Sequence, residues 1–171
     1  MRDLLDQIER GIQANLYYLS LIAALSVPDM CAALSSADGQ TTGAKYAAWF
    51  DQYAAPKYNG NLDGETCYQF RCSLLHQGTT QHPKSSYSRI IFLEPQGHPY
   101  FFHNNIFENA AARESVLNLD APRFCRDIIA SANDWLAANE NTPIYRANFP
   151  KFIQRYPSGL RPYIDGTPII C

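Results

Sequence analysis

The residues best suited to chemistry in this chain are Arg71 and His76, in the string Phe70-Arg-Cys-Ser-Leu-Leu-His-Gln-Gly78. Histidine has an unperturbed pKa of about 6.5, close to physiological pH, so it can take a proton from a ribose 2'-hydroxyl and return one to a leaving 5'-oxygen. Arginine presents a planar fork of donors that fits phosphate oxygens and the extra charge of a pentacoordinate phosphoryl transition state. One arginine and one histidine thus make a minimal metal-free set for cutting RNA. The plain alternative is a helix C-terminus carrying a favourable cation, worth about 0.3–1 kcal/mol through the helix dipole.

Spacing sets a condition on the pair. At about 100° per residue, positions five apart on a helix diverge by about 140°. Either the last turn distorts before Gly78, or a second copy of the chain brings its own pair alongside. The second route makes a homodimer part of the expected site.

The supporting candidates are Asp29, Asp51, Cys72 and Gln77. Asp29 and Asp51 are carboxylates able to orient His76 or hold an arginine. Asp29 also lies three residues after Ser26, the spacing of a capping box. Cys72 and Gln77 adjoin the pair. Farther on, Arg146, Lys151, Arg155 and Arg161 alternate with Tyr145, Phe149, Phe152, Tyr156 and Tyr163. Such a mixture can hold single-stranded RNA by phosphate contact and stacking. It equally describes a segment whose aromatics pack on the core while basic stems reach outward. His82, His98 and His103 match no zinc spacing, so neither a metal nor another cofactor is expected.

The elements that must position these residues follow from hydrophobic periodicity. Leu5, Ile8, Ile12, Leu16, Leu19 and Ile22 predict a helix over 3–25. Ser26-Val27-Pro28-Asp29 then ends it and starts a short helix over 28–34. Further helices are expected over 42–54, 63–77 and 120–138, with Asp63 as N-cap and Gly78 as the C-terminal glycine of the fourth. Two β-branched and aromatic runs around "QGHP" predict a β-hairpin over about 88–107. The fold expected is mainly α, a single domain over 1–171 with a small inserted hairpin.

Bulk properties agree with one globular domain. The chain has 171 residues, 46% hydrophobic and 18% charged, with a net charge of -2. That balance argues against a broad electrostatic grip on nucleic acid. Five cysteines without a C-x-x-C pair suggest a reduced, cytoplasmic protein. The apolar run from Leu16 to Val27 follows Asp3, Asp6 and Glu9, unlike a secretory leader, and is too short to span a bilayer.

The string from Arg71 to His76 resembles the R-x4-6-H motif of the HEPN superfamily, and "SVPDMCAAL", "KYAAWFDQY" and "ETCYQFRCSLLHQG" resemble bacterial HEPN-type proteins. The resemblance covers residues 26–78 best. It implies a HEPN-like helical bundle and a metal-independent endoribonuclease active as a homodimer, of the kind found in toxin–antitoxin or phage-defence systems, with an antitoxin or other protein partner. Only Arg71 and His76 inherit roles, as transition-state stabiliser and general acid/base. Many active members carry a polar residue, often asparagine, directly after the arginine, where this chain has Cys72. The alternative is therefore a non-catalytic HEPN-type module that binds a nucleotide, RNA or a protein partner.

Overall fold

The computed structural model describes residues 1–95 and 102–171. Helix α1 (Arg2–Gln13) buries Leu5, Ile8 and Ile12, the stripe read from the sequence. It stops at Asn15, whose φ of 59° is left-handed, and α2 (Tyr17–Leu34) starts two residues later. Gly11 sits where the two helices close on each other, because a Cβ there would collide with the Ser20 hydroxyl. Ser20 in turn bonds the Ile8 carbonyl at 3.3 Å.

The helix break therefore falls at 14–16, not at 26–28 as expected. Pro28 lies inside α2. An interior proline removes one helical hydrogen bond at a cost of about 3 kcal/mol or more. Here packing outweighs that cost. α2 is apolar all round, is the central helix, and packs against α1, α3, α4, α5 and α6. Ser26 does not cap a new helix; its hydroxyl bonds back to the Ile22 carbonyl at 3.0 Å. By length (18 residues) and mean hydropathy (1.5), α2 has the composition of a membrane-crossing helix, contrary to the short run expected. Half of it is buried within the fold.

Helices α3 (Gly43–Tyr53) and α4 (Gly64–Gln77) flank α2, joined by a 3-10 turn over Ala55–Tyr58. Three short strands follow: β1 (Arg89–Leu93), β2 (Asn105–Asn109) and β3 (Glu114–Asp120). Next come α5 (Ala121–Asn139), α6 (Pro143–Asn148) and a 3-10 turn over Phe149–Lys151. Four two-residue strands close the chain: β4 (Arg155–Tyr156) pairs with β7 (Ile169–Ile170), and β5 (Gly159–Leu160) pairs with β6 (Ile164–Asp165). The core is one cluster running from Leu5 through Tyr46, Phe50, Tyr58 and Phe124 to Trp135 and Tyr145.

The mainly-α, HEPN-like bundle is overturned. The chain is 53% helical, but it carries a mixed three-stranded sheet in the order β1-β3-β2 and is α/β in character. The expected hairpin over 88–107 is also wrong in its pairing, and its "QGHP" turn lies outside the described residues. β1 runs parallel to β3, with Arg89 opposite Val116 and Leu93 opposite Asp120. β2 is antiparallel to β3, with Ile106 opposite Leu117. The cause is burial: Leu117 and Leu119 are fully buried, so β3 takes the centre and is hydrogen-bonded on both edges. The hairpin that exists is β2–β3, turned by Arg113 in left-handed conformation and by Asn109, whose side chain accepts from the Ala112 amide.

Candidate functional site

Helix α4 is fixed at both ends. Asp63 caps it by accepting from the Thr66 amide at 2.8 Å. Asp51 on α3 accepts from the Gly64 amide at 2.6 Å. A Cβ at Gly64 would penetrate the Ala47 backbone, so the start of α4 lies directly on α3. At the other end Gly78 turns out of the helix with φ 66°. Between these points Cys67, Phe70 and Leu74 face the core. Asp51 is thus a helix anchor and is not brought to Arg71.

Arg71 leaves α4 on the side of α2. Its Nη2 lies 2.7 Å from Asp29 Oδ2, with side chains 20% and 12% exposed. Asp29 is therefore not a capping-box residue: it sits deep in α2, and its other oxygen accepts from the Thr41 hydroxyl at 3.3 Å. Burial pushes the Asp29 carboxyl up, against the pull of Arg71 and Thr41. Burial also works against the Arg71 charge, but Asp29 and Cys72 together more than compensate and the guanidinium is held more firmly charged.

His76 is exposed at the end of α4, and its Nε2 lies 3.2 Å from Arg71 Nη1. A guanidinium has no acceptor, so this contact is a hydrogen bond in the tautomer that leaves the Nε2 lone pair free. One chain thus joins the pair, although α4 runs undistorted to Gln77. The long arginine side chain crosses the angular gap that its backbone position leaves. The spacing reason for a second copy of the chain falls away.

Two neighbours complete the cluster. Cys72 Sγ lies 3.9 Å from Arg71 Nη1. The neighbouring Cys72 thiol, together with burial, pushes the Tyr68 phenol up. Tyr68, Cys72 and His76 stand at i, i+4 and i+8, one stripe of α4. That spacing was the available signal for Tyr68, which sequence reasoning missed; nothing in the sequence pointed to Thr41. Gln77 is exposed beside His76 and adds no bond to the cluster.

Arg146, Lys151 and Arg155 lie elsewhere. Arg146 bonds Asn141 at 2.9 Å; Arg155 borders a groove formed with α1 and the end of α5, and Lys151 a smaller pocket against the end of α2. The aromatics among them pack inward: Tyr145 stacks on Phe149 at 5.2 Å and Phe149 on Phe152 at 6.1 Å. His103 also has a fold role. Its Nδ1 accepts from the Asp120 amide at 3.3 Å, and its ring packs on Tyr58. His82 accepts from the Lys84 amide in its loop, and His98 lies outside the described residues. Among the described residues no three metal-ligating side chains converge.

No protein-family model, curated protein or solved structure matches this chain.

Proposed function

We propose that this protein is a metal-independent endoribonuclease, with Arg71 and His76 as its catalytic pair. The observation that carries the reading is the 3.2 Å contact between Arg71 Nη1 and His76 Nε2 on one exposed helix end. A phosphodiester entering there replaces that contact. The guanidinium turns to the non-bridging oxygens, and Nε2 becomes available as a base. His76 removes the 2'-hydroxyl proton, the 2'-oxygen attacks phosphorus, and the bond to the 5'-oxygen breaks. The imidazolium then delivers a proton to that 5'-oxygen. The products are a 2',3'-cyclic phosphate and a 5'-hydroxyl. Arg71 carries the charge that builds on the phosphoryl oxygens. Asp29 is a positioning residue that holds the guanidinium in place. The resemblance of this string to the HEPN motif supports the same chemistry, on a scaffold that is not a mainly-α bundle. Cytoplasmic residence is part of the proposal, supported by five free thiols, three of them buried.

The competing reading is a non-catalytic module that binds RNA, a nucleotide or a protein partner. It is favoured by the Asp29–Arg71 ion pair, which already neutralises the guanidinium. The test is incubation of mixed RNA with the purified chain in EDTA, beside Arg71→Ala and His76→Ala. Proton transfer by a positioned histidine is worth roughly 10²–10⁴ in rate, and His76→Ala should lose that factor. Equal cleavage by wild type and both variants refutes the catalytic reading. No cleavage by any of them leaves the binding module.

A further inference from the structure

We infer that the groove between α1, α5 and the C-terminal segment is a binding site for an anionic amphiphile, a long acyl chain ending in a carboxylate. The groove has a volume of about 600 Å³, within the range of small-molecule sites. Its floor is Met30, Leu136, Tyr145, Phe149 and Phe152, and Ile153 and Ile170 rise at the rim, 55% and 68% exposed. A smaller pocket of about 210 Å³ shares Met30, Phe152 and Ile153 and prolongs the apolar floor toward Gly39. The resulting shape is long and apolar, which suits a hydrocarbon chain.

Charge at the rim selects the head group. Arg2 is neutralised by Glu140 at 2.6 Å. Asp3 lies in the first turn of α1, where the helix dipole favours an anion. Arg155 and Lys151 are exposed and enter no ion pair among the described residues. Asp3, at the α1 end of the groove, is likewise in no ion pair among the described residues, so the negative charge lies at that end, while Arg155 at the groove and Lys151 at the smaller pocket place positive charge at the C-terminal side. Arg155 sits on β4, whose pairing with β7 fixes its place. The stacked Tyr145, Phe149 and Phe152 rings are turned into the fold, so the floor offers apolar surface more than free faces for nucleobases.

The test is calorimetric titration of the full chain with decanoate, dodecanoate and tetradecanoate, each below its micelle concentration. Each buried methylene should tighten binding by about threefold to fourfold, so each two-carbon step by about tenfold, until the groove is full. Dodecanol should bind more weakly than dodecanoate, and dodecyltrimethylammonium more weakly still. Arg155→Glu should weaken dodecanoate by about threefold to tenfold and leave dodecanol unchanged, since one exposed charge is worth little more. Ile153→Gln should weaken all three. The site assignment is overturned by absence of saturable binding, by affinity independent of chain length, or by equal binding of the cationic detergent. Binding of an oligouridylate that competes with dodecanoate and is lost in Arg155→Glu also overturns it. The chain-length and head-group series need only the unmodified protein, so poor folding of a variant does not shield the inference.

Discussion

Breaking the Asp29–Arg71 pair from each side should give unequal costs. Two unit charges about 4 Å apart interact by about 4 kcal/mol at an effective dielectric of 20. Partial exposure reduces this, because both side chains still touch solvent. Asp29→Asn leaves Arg71 with its charge, which cannot be shed, and without its anion. A cost of about 1–3 kcal/mol is expected, below the 3–5 kcal/mol of a fully buried pair. Arg71→Met leaves Asp29, whose carboxyl burial already pushes up, so it can take a proton and escape most of its penalty. That variant should lose less stability in acid than at pH 8. The double variant Asp29→Asn/Arg71→Met removes both charges and should recover to within about 1 kcal/mol of wild type. Urea unfolding of all four proteins measures the cycle. If the double-variant cost equals the sum of the single costs within about 0.5 kcal/mol, the two residues are not coupled and the role given to Asp29 fails. If they are coupled, Asp29→Asn should also slow RNA cleavage by about 10–100-fold, since a misplacement of about 1 Å costs that much.

Acid stability should turn on His103. Burial and Arg123 lower its pKa below 6.5, against Asp127 and Asp120. A histidine lowered in the folded state binds fewer protons than when unfolded, so stability falls as pH drops from 6.5 toward its folded value. His103→Asn should flatten urea midpoints measured across that window; an unchanged slope refutes the assignment. Asp127 works in the opposite sense. Burial raises its carboxyl, so its share of stability falls as pH rises from 3.8 toward its folded value. Gly64→Ala should cost several kcal/mol and impair cleavage, because its Cβ meets Ala47 backbone that cannot yield. Gly78→Ala should cost only about 1 kcal/mol, since nothing lies near it and only its left-handed φ resists. Thermal melts of the two should differ accordingly, and equal melting temperatures would refute this account.

Periodicity made the local elements of the site legible. Asp63, Gly78 and the Cys67, Phe70, Leu74 stripe define α4 from sequence alone, and Arg71 and His76 follow from residue chemistry. Position across the fold was not legible. Asp51 reads as a free carboxylate because its target, the Gly64 amide, is thirteen residues away and belongs to a different helix. β3 is absent from the expected elements, and its Asp120 is both the last strand residue and the N-cap of α5. Its central place depends on pairing with β1, about 25 residues earlier, which no local pattern encodes.

The two misreadings in α2 share one physical cause. A helix starting at Pro28 would place Asp29 in its first turn, where the carboxylate would serve nearby backbone amides and the helix dipole. An unbroken α2 has no such orphan amides at 29, so the carboxylate needs a partner from another element. Arg71 supplies it from α4, and Thr41 from the loop before α3. The helix runs through Pro28 because Val27, Pro28, Cys31 and Leu34 are all buried by the surrounding helices, which outweighs one missing backbone bond. The positioning of Arg71, and with it the contact to His76, therefore depends on packing around Pro28. Pro28→Ala regains one helical hydrogen bond, offset by the packing of the buried ring it removes, and should keep α2 unbroken with RNA cleavage unaltered. Loss of cleavage in a folded Pro28→Ala protein would show that α2 must bend at that point to hold Asp29 against Arg71.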